Sequence, residues 1–418
     1  MSIGVGLTVT LRVRMGAHDT HYAGELVDGA RVLDAARVGA RVIAAELGGL
    51  SPGKLHAADL ASDALHRALG EAVRADAALP ASATRVLVAM SGGVDSAVAA
   101  LLTRADADEV AAVTLELWAD PDNDAERSCC SAAAVRTARS LAHDMGLPHF
   151  TLDLRAEFRA GVVEPWLAGH AAGVTPNPCV RCNGSVRLDA MVAFADRLGA
   201  AALATGHYAR IRDGRLRLAA DRDKDQTYML AATPAATLAR LRFPLGGLAK
   251  AEVRAVAAEA GLSVAEKPDS QDLCFLAGTT RAAFLARHGG IIDRPGDLLD
   301  RDGTVVGRHA GQHHFTVGQR RGLGIATGEP RYVLAKDAAR NTVTIGPREE
   351  LATAAVPVRD LRLDGEPEAV KLRYRTVPVT CTVRGGEIHL AEPVDGAAPG
   401  QTAVFLAGDV VVGTGTIG

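Results

Sequence analysis

The sequence is short of several things, and each shortage excludes something. No apolar run approaches the length of a membrane span. The first residues include Arg12 and Arg14 but lack the apolar core and cleavage pattern of a secretory signal. A cytoplasmic protein with no membrane association is therefore expected. Cysteine is scarce: the 418 residues hold six, and none precedes Cys129. That density excludes a disulfide framework and leaves thiol chemistry or metal binding as the use of cysteine. Net charge is low, at −3, so any RNA contact needs a local basic patch. The basic residues are mostly arginine, which suits phosphate recognition. Internal repeats and low-complexity tracts are absent. What remains is a long chain, 48% apolar, with room for roughly two to four packed domains.

Within it one local pattern stands out. The apolar run Arg85–Met90 reads as a strand, and Val94 to Thr103 reads as an Ala-rich helix. Between them lies Ser91-Gly92-Gly93, continuing as Val94-Asp95-Ser96. A strand, a glycine turn and a helix N-terminus form an anion cradle. The glycines admit a phosphate close to backbone N–H groups, and the helix dipole adds partial positive charge. No Gly-Lys-Ser/Thr follows, so this is not a Walker A loop. The six residues resemble the PP-loop of ATP pyrophosphatases.

Patterning divides the chain. Residues 1–80 read as a separate piece, with a strand over Leu7–Val13 and helical spacing over Val32–Leu47 and Ala57–Val73. Ala78–Thr84 reads as a linker. Residues 81–285 alternate strands (85–90, 110–117, 149–153, 201–205) with helices (Ser131–Met145, Ser185–Leu198), which predicts an α/β domain with a parallel sheet. Ligands on such sheets bind at the carboxyl ends of strands. Residues 286–350 and 351–418 change to short alternating runs between Gly, Pro and Asp turns. They predict a small β-rich central domain and a C-terminal β-barrel, read as antiparallel.

The cysteines sit in motifs. Thr175–Asn183 is a proline-punctuated loop holding Cys179 and Cys182, and Lys267–Phe275 holds Cys274. A free thiol has a pKa of about 8.5, lowered near cations or a helix N-terminus. Cys182 precedes a helix and has Arg181 and Arg187 nearby in sequence. Taken with the PP-loop, Cys129-Cys130-Ser131, Ala204–Tyr208, Asp223–Tyr228, Phe315–Ile325, Arg373–Arg375 and Pro399–Gln401, these motifs resemble the bacterial tRNA-specific 2-thiouridylase (MnmA/TrmU) family. The likeness covers about residues 85–418.

The resemblance implies ATP-dependent sulfur transfer to the wobble uridine of tRNA through an adenylated base. It implies ATP binding by Ala89, Met90, Ser91, Gly92, Gly93, Val94, Asp95 and Ser96, with Leu115 and Gly206 near the adenosine. Mg²⁺ would neutralise phosphate charge, with Asp95 as a possible ligand or simply a helix-start carboxylate. Cys274 would receive a persulfide from a cysteine desulfurase or sulfur carrier, and Cys182 would be the catalytic thiol. Their joining as a disulfide requires Cα atoms within about 7 Å. Base selection falls to Asn177, Pro178 and Cys179. Further tRNA contacts fall to His207, Lys224, Asp225, Gln226, Arg373, Tyr374 and Gln401, and the central domain, residues 286–350, would bind tRNA. Other PP-loop enzymes, such as amidotransferase-coupled ligases, should lack the cysteine pair or the barrels, and no glutaminase triad is visible.

Two departures qualify the likeness. Several family members carry Asp where this chain has Cys179. Cys179, Cys182 and Cys274 could therefore hold a [4Fe–4S] cluster in place of a persulfide, and Cys179-x-x-Cys182 could be redox-active or bind zinc. Residues Glu46–His56 resemble the end of an IscU/NifU-type scaffold, yet Ala57 stands where such scaffolds place a cysteine. The extension then serves as a docking module for a sulfur donor or as a remnant kept for packing.

Overall fold

A computed structural model describes residues 27, 29–51, 54–75, 78–120, 131–269, 273–325 and 328–418. The strand expected over Leu7–Val13 and the Cys129-Cys130 pair lie outside those residues.

The extension forms helices α1 (Val32–Ala35), α2 (Ala40–Glu46) and α3 (Leu55–Ala75). The helical spacing read over 32–47 is thus two helices. Gly39 separates them, and a Cβ there would lie 2.4 Å from His143 Nδ1. The catalytic domain follows: β1 (Ser82–Ala89), α4 (Val94–Asp106), β2 (Glu109–Glu116), α5 (Ala132–Asp144) and β3 (His149–Asp153). Then come α6 (Glu164–Ala171), α7 (Pro178–Cys182), α8 (Leu188–Arg197), β4 (Ala200–Ala204), β5 (Leu241–Arg242), α9 (Lys250–Glu259) and α10 (Arg281–Gly289). The sheet order is β3-β2-β1-β4-β5, parallel throughout. Val86–Ala89 is buried because helices cover both faces of the sheet, which explains its unbroken apolar run.

Although the extension reads as separate in sequence, it forms the outer wall of this sheet. Leu65, Leu69 and Val73 of α3 are fully buried in one core with Leu87, Val113 and Phe150. Each such side chain contributes roughly 1.5–3 kcal/mol. Gly70 lets α3 lie against β3, since a Cβ there would sit 2.2 Å from the Thr151 carbonyl oxygen. The edge strand β3 is also capped polarly. His149 N–H donates to the Ala36 carbonyl at 2.9 Å, and His66 Nδ1 stands 2.7 Å from the His149 carbonyl. An exposed sheet edge invites pairing with other chains, and the extension removes that edge. Across the same contact, Arg139 of α5 donates to Asp63 of α3, both buried.

The central domain holds β6 (Gly296–Leu299), β7 (Val305–His309), β8 (Tyr332–Asp337) and β9 (Thr342–Gly346), in the order β8-β9-β6-β7. One pairing, β9 with β6, is parallel, contrary to the antiparallel reading. Alternation reports which face a residue takes, and says nothing of strand direction. The last domain holds β10 (Ala352–Leu363), β11 (Ala369–Lys371), β12 (Val379–Arg384), β13 (Glu387–Asp395), β14 (Thr402–Ala407) and β15 (Val410–Ile417). These pair as β10-β13-β12-β11-β14-β15, and β10 pairs again with β15, closing an antiparallel barrel. Cys381 lies in its apolar core, where burial pushes the thiol up to about 11. No described helix is long and apolar enough to cross a membrane.

Candidate functional site

At the carboxyl end of β1 the chain turns through Ser91, Gly92 and Gly93 into α4. Gly92 has φ +69°, and a Cβ there would lie 2.6 Å from the Ala134 carbonyl oxygen. Gly93 occupies the N-cap of α4 and has no side chain to cover the helix's first N–H groups. Ser96 holds the turn: its Oγ accepts from Ser91 N–H at 3.0 Å and donates to the Gly93 carbonyl at 3.0 Å. Ala89, Met90, Val94 and Leu115 are buried beneath. Gly206, after β4, lies on the first turn of α4, where a Cβ would come within 2.9 Å of the Asp95 carbonyl and Ser96 nitrogen. The ends of β1, β2 and β4 thus form one cradle with a bare helix N-terminus, the arrangement that receives phosphate.

Charge surrounds the cradle. Asp95 accepts from Tyr208 Oη at 2.9 Å and from Lys250 Nζ at 2.7 and 2.9 Å. Lys250 also meets Asp269 at 2.8 Å, as do Lys224 at 2.9 Å and Arg254 at 3.3 Å. Asp221 accepts from the backbone N–H of Lys250 and of Lys224, which holds its carboxyl below the usual range. Lys267 Nζ donates to the Gly92 carbonyl at 2.8 Å. Burial and the Asp95 charge push the Tyr208 phenol well up, so it stays a donor. Lys250 was missed in the sequence. A signal existed: the chain has only six lysines among its 46 basic residues, and three of them meet here.

The cysteine loop is pinned between domains. Asn177 caps α7, its Oδ1 accepting from Cys179 N–H at 3.0 Å and Val180 N–H at 3.3 Å, with Pro178 at the first position. Tyr228 bonds Asn177 and donates to the Thr402 carbonyl at 2.7 Å; burial pushes its phenol up. The Gln401 amide donates to the Thr175 carbonyl, and Thr175 N–H donates to the Pro399 carbonyl at 2.8 Å. Cys182 is buried, while Cys179 and Cys274 are half-buried thiols. Cys274 packs against the same apolar cluster that buries Cys182. Its neighbour Phe275 is wedged among Trp118, Phe158, Trp166 and Phe284.

The remaining expected residues divide. Tyr374 faces Tyr228, with ring centres 6.1 Å apart, and burial raises its phenol, with Cys179 among the charges acting on it. Asn177, Pro178, Cys179, Tyr374 and Gln401 therefore share one wall. Asp225 and Gln226 turn inward. Asp225 accepts from Ala219 N–H at 2.7 Å and Thr227 Oγ1 at 2.6 Å; Gln226 Oε1 accepts from Tyr208 N–H at 2.9 Å. Arg373 donates to the Gly396 carbonyl at 2.9 Å and so ties the barrel's own turn. His207 Nδ1 stands 2.8 Å from Thr205 Oγ1; burial, then Arg187, lowers its ring to about 3, so it is neutral at pH 7.

Three family models match the chain: a tRNA methyl transferase HUP domain over residues 84–278, a tRNA methyl transferase PRC-barrel domain over 282–347, and an aminomethyltransferase β-barrel domain over 364–417. The bifunctional protein NifU/MnmA of Rubrobacter xylanophilus is 45% identical over 415 residues, spanning 94% of this chain and 84% of the relative. The tRNA-specific 2-thiouridylase MnmA of Xanthobacter autotrophicus is 45% identical over 81% of this chain and 93% of its own length. That of Mycolicibacterium smegmatis is 43% identical over 80% and 99%.

Proposed function

Since the chain belongs to the tRNA-specific 2-thiouridylase (MnmA) family, we propose that it replaces the C2 oxygen of the wobble uridine in tRNA with sulfur, using ATP, in the cytoplasm. One observation carries the mechanism. A path of bonds links the nucleotide cradle to the cysteine helix: Asp95 to Tyr208, Tyr208 to Gln226, and Tyr228, two residues on, to the Asn177 cap of α7. Phosphate chemistry and thiol chemistry share one rigid support.

ATP places its phosphates on the Ser91–Ser96 amides, with Leu115 and Gly206 toward the adenosine. The uridine O2 attacks the α-phosphorus, and the bond to pyrophosphate breaks. Lys250 and Lys267 meet the charge developing on the leaving group. Asp95 does not fit a magnesium ligand as it stands, because Lys250 and Tyr208 occupy its carboxylate. Cys274 carries a persulfide delivered by a cysteine desulfurase or sulfur carrier. The Cys182 thiolate attacks the Cys274 sulfur, forming a disulfide and expelling hydrosulfide. Hydrosulfide adds at C2 and AMP departs. A cellular dithiol then supplies the two electrons that reopen the disulfide. Asn177, Pro178, Cys179 and Tyr374 hold the base, which must leave its stack first. Lys224, His207, Arg373 and Gln401 line or brace the same approach.

Incubation of tRNA with ATP, Mg²⁺ and a sulfide source should add the mass of one sulfur for one oxygen. Cys182→Ser should abolish that gain while nucleotide binding stays intact. Residual transfer near the wild-type rate would remove Cys182 from the reaction. A second reading keeps the reaction but seats a [4Fe–4S] cluster on Cys179, Cys182 and Cys274. It is favoured by Cys179 and Cys182 standing three residues apart on α7. An iron count of about four per chain after anaerobic purification would select it; iron-free active protein would discard it.

A further inference from the structure

Where α6 and α10 of the catalytic domain meet the central sheet, five basic side chains gather. His170 comes from α6, Arg281 from the start of α10 and Lys336 from β8; His313 and His314 come from the 3₁₀ turn Gln312–His314. Arg281 donates to the His314 carbonyl at 2.7 Å, and the rings of His313 and His314 lie 4.2 Å apart. His170 feels Arg281, Lys336 and His313, and Lys336 feels Arg281. The carboxylate that reaches the group, Asp293, is already 2.7 Å from His314 Nε2 and 3.4 Å from His313 Nε2.

Three atoms of the group lack a hydrogen-bond partner. Lys336 Nζ, His170 Nδ1 and His313 Nε2 are buried and have none among the described residues, Asp293 approaching His313 Nε2 only to 3.4 Å. His170 is 1% exposed. Burial lowers Lys336 to about 8 and His170 to about 3, with Arg281 adding to both. An ammonium without an acceptor, set beside a guanidinium, is unfavourable, and an anion relieves both. Asp293, His313 and His314 bring three ligand atoms within 4.8 Å, a spacing that suits a metal. The positive field of Arg281 and Lys336 opposes a dication there and favours an anion. Arg281 and His314 are half-buried, so the group opens to solvent on their side. Lys336 is also one of only six lysines in this arginine-rich chain, three of which ring the phosphate cradle.

We propose that His170, Arg281, Lys336, His313 and His314 form a phosphate-binding site, filled by a backbone phosphate of tRNA close to the target nucleotide. The proposal rests on the tRNA reading above. Its location fits: His170 precedes Thr175 by five residues, a reach of at most about 17 Å, and Thr175 opens the base-holding loop. Arginine supplies a fork and lysine a compact charge, a pairing suited to phosphate.

The test is tRNA affinity against salt for the full chain, Lys336→Met and Arg281→Met. Each variant should weaken binding roughly tenfold at about 150 mM salt and reduce the log–log salt slope by about one. Lys336→Met should melt no lower than the parent, because it removes an uncompensated buried charge. Inorganic phosphate, added alone, distinguishes the sources. If it raises the melting temperature of the parent and not of Lys336→Met while both tRNA slopes stay unchanged, the site takes free phosphate and the tRNA assignment is overturned. Unchanged slopes with no phosphate effect overturn the site itself. A parent chain that binds tRNA yet transfers no sulfur would sink the reaction proposed above, and these slopes would still be readable.

Discussion

Replacing Arg139 with Met should strand the Asp63 carboxylate inside the protein. Arg139 is 3% exposed and the Asp63 side chain 9%, and they meet directly between α5 and α3. Met keeps most of the volume, so the cavity left is small. The cost is then mainly that of an unpaired buried charge, about 3–5 kcal/mol. Against a typical domain stability of about 5–15 kcal/mol, that is a large fraction. Urea unfolding should show a midpoint shifted strongly downward with little change in slope. The double variant Asp63→Leu/Arg139→Met should recover to within about 1 kcal/mol of the parent, or exceed it, because a buried pair adds little over apolar residues. A single-variant loss under about 1 kcal/mol would refute the reasoning. It would mean that water reaches the contact and that the extension is loosely held.

Acid should loosen the same region. His66 is lowered to about 3, chiefly by burial and then by His143 and Arg139, and burial first also lowers His143 and His149. Their folded forms are neutral, whereas the unfolded chain binds protons below about pH 6.5. Stability from these rings is complete above pH 6.5 and declines toward pH 3; hydrogen exchange in α3 should rise over that window, and a flat profile would count against the buried ring cluster. Gly206→Ala forces a Cβ onto the Asp95 and Ser96 backbone, so ATP affinity should fall at least about tenfold by calorimetry. Lys250→Met removes the cation between Asp95 and Asp269, and turnover should drop about 100-fold. Lys250→Arg should not restore it, since a planar fork cannot replace a compact ammonium.

Legibility followed the range of the forces involved. The strands at 85–90, 110–117, 149–153 and 201–205 appear at 82–89, 109–116, 149–153 and 200–204, because unbroken apolar runs between breakers are local signals. The barrel was readable from short alternating runs, while the parallel β6–β9 pairing was not. Asp225 and Gln226, expected to meet tRNA, also bond Ala219, Thr227 and Tyr208 within the chain. Residue type alone cannot say which way a polar side chain turns.

The sequence by itself determined the glycine turn between β1 and α4. A buried strand, two glycines and a helix start specify that geometry through backbone sterics confined to a few residues. The tertiary structure alone decided which charges serve it, since Lys250 reaches Asp95 across 155 positions. It also decided that the extension is a wall of the catalytic core, because burial and ion pairing depend on neighbours that only folding brings together.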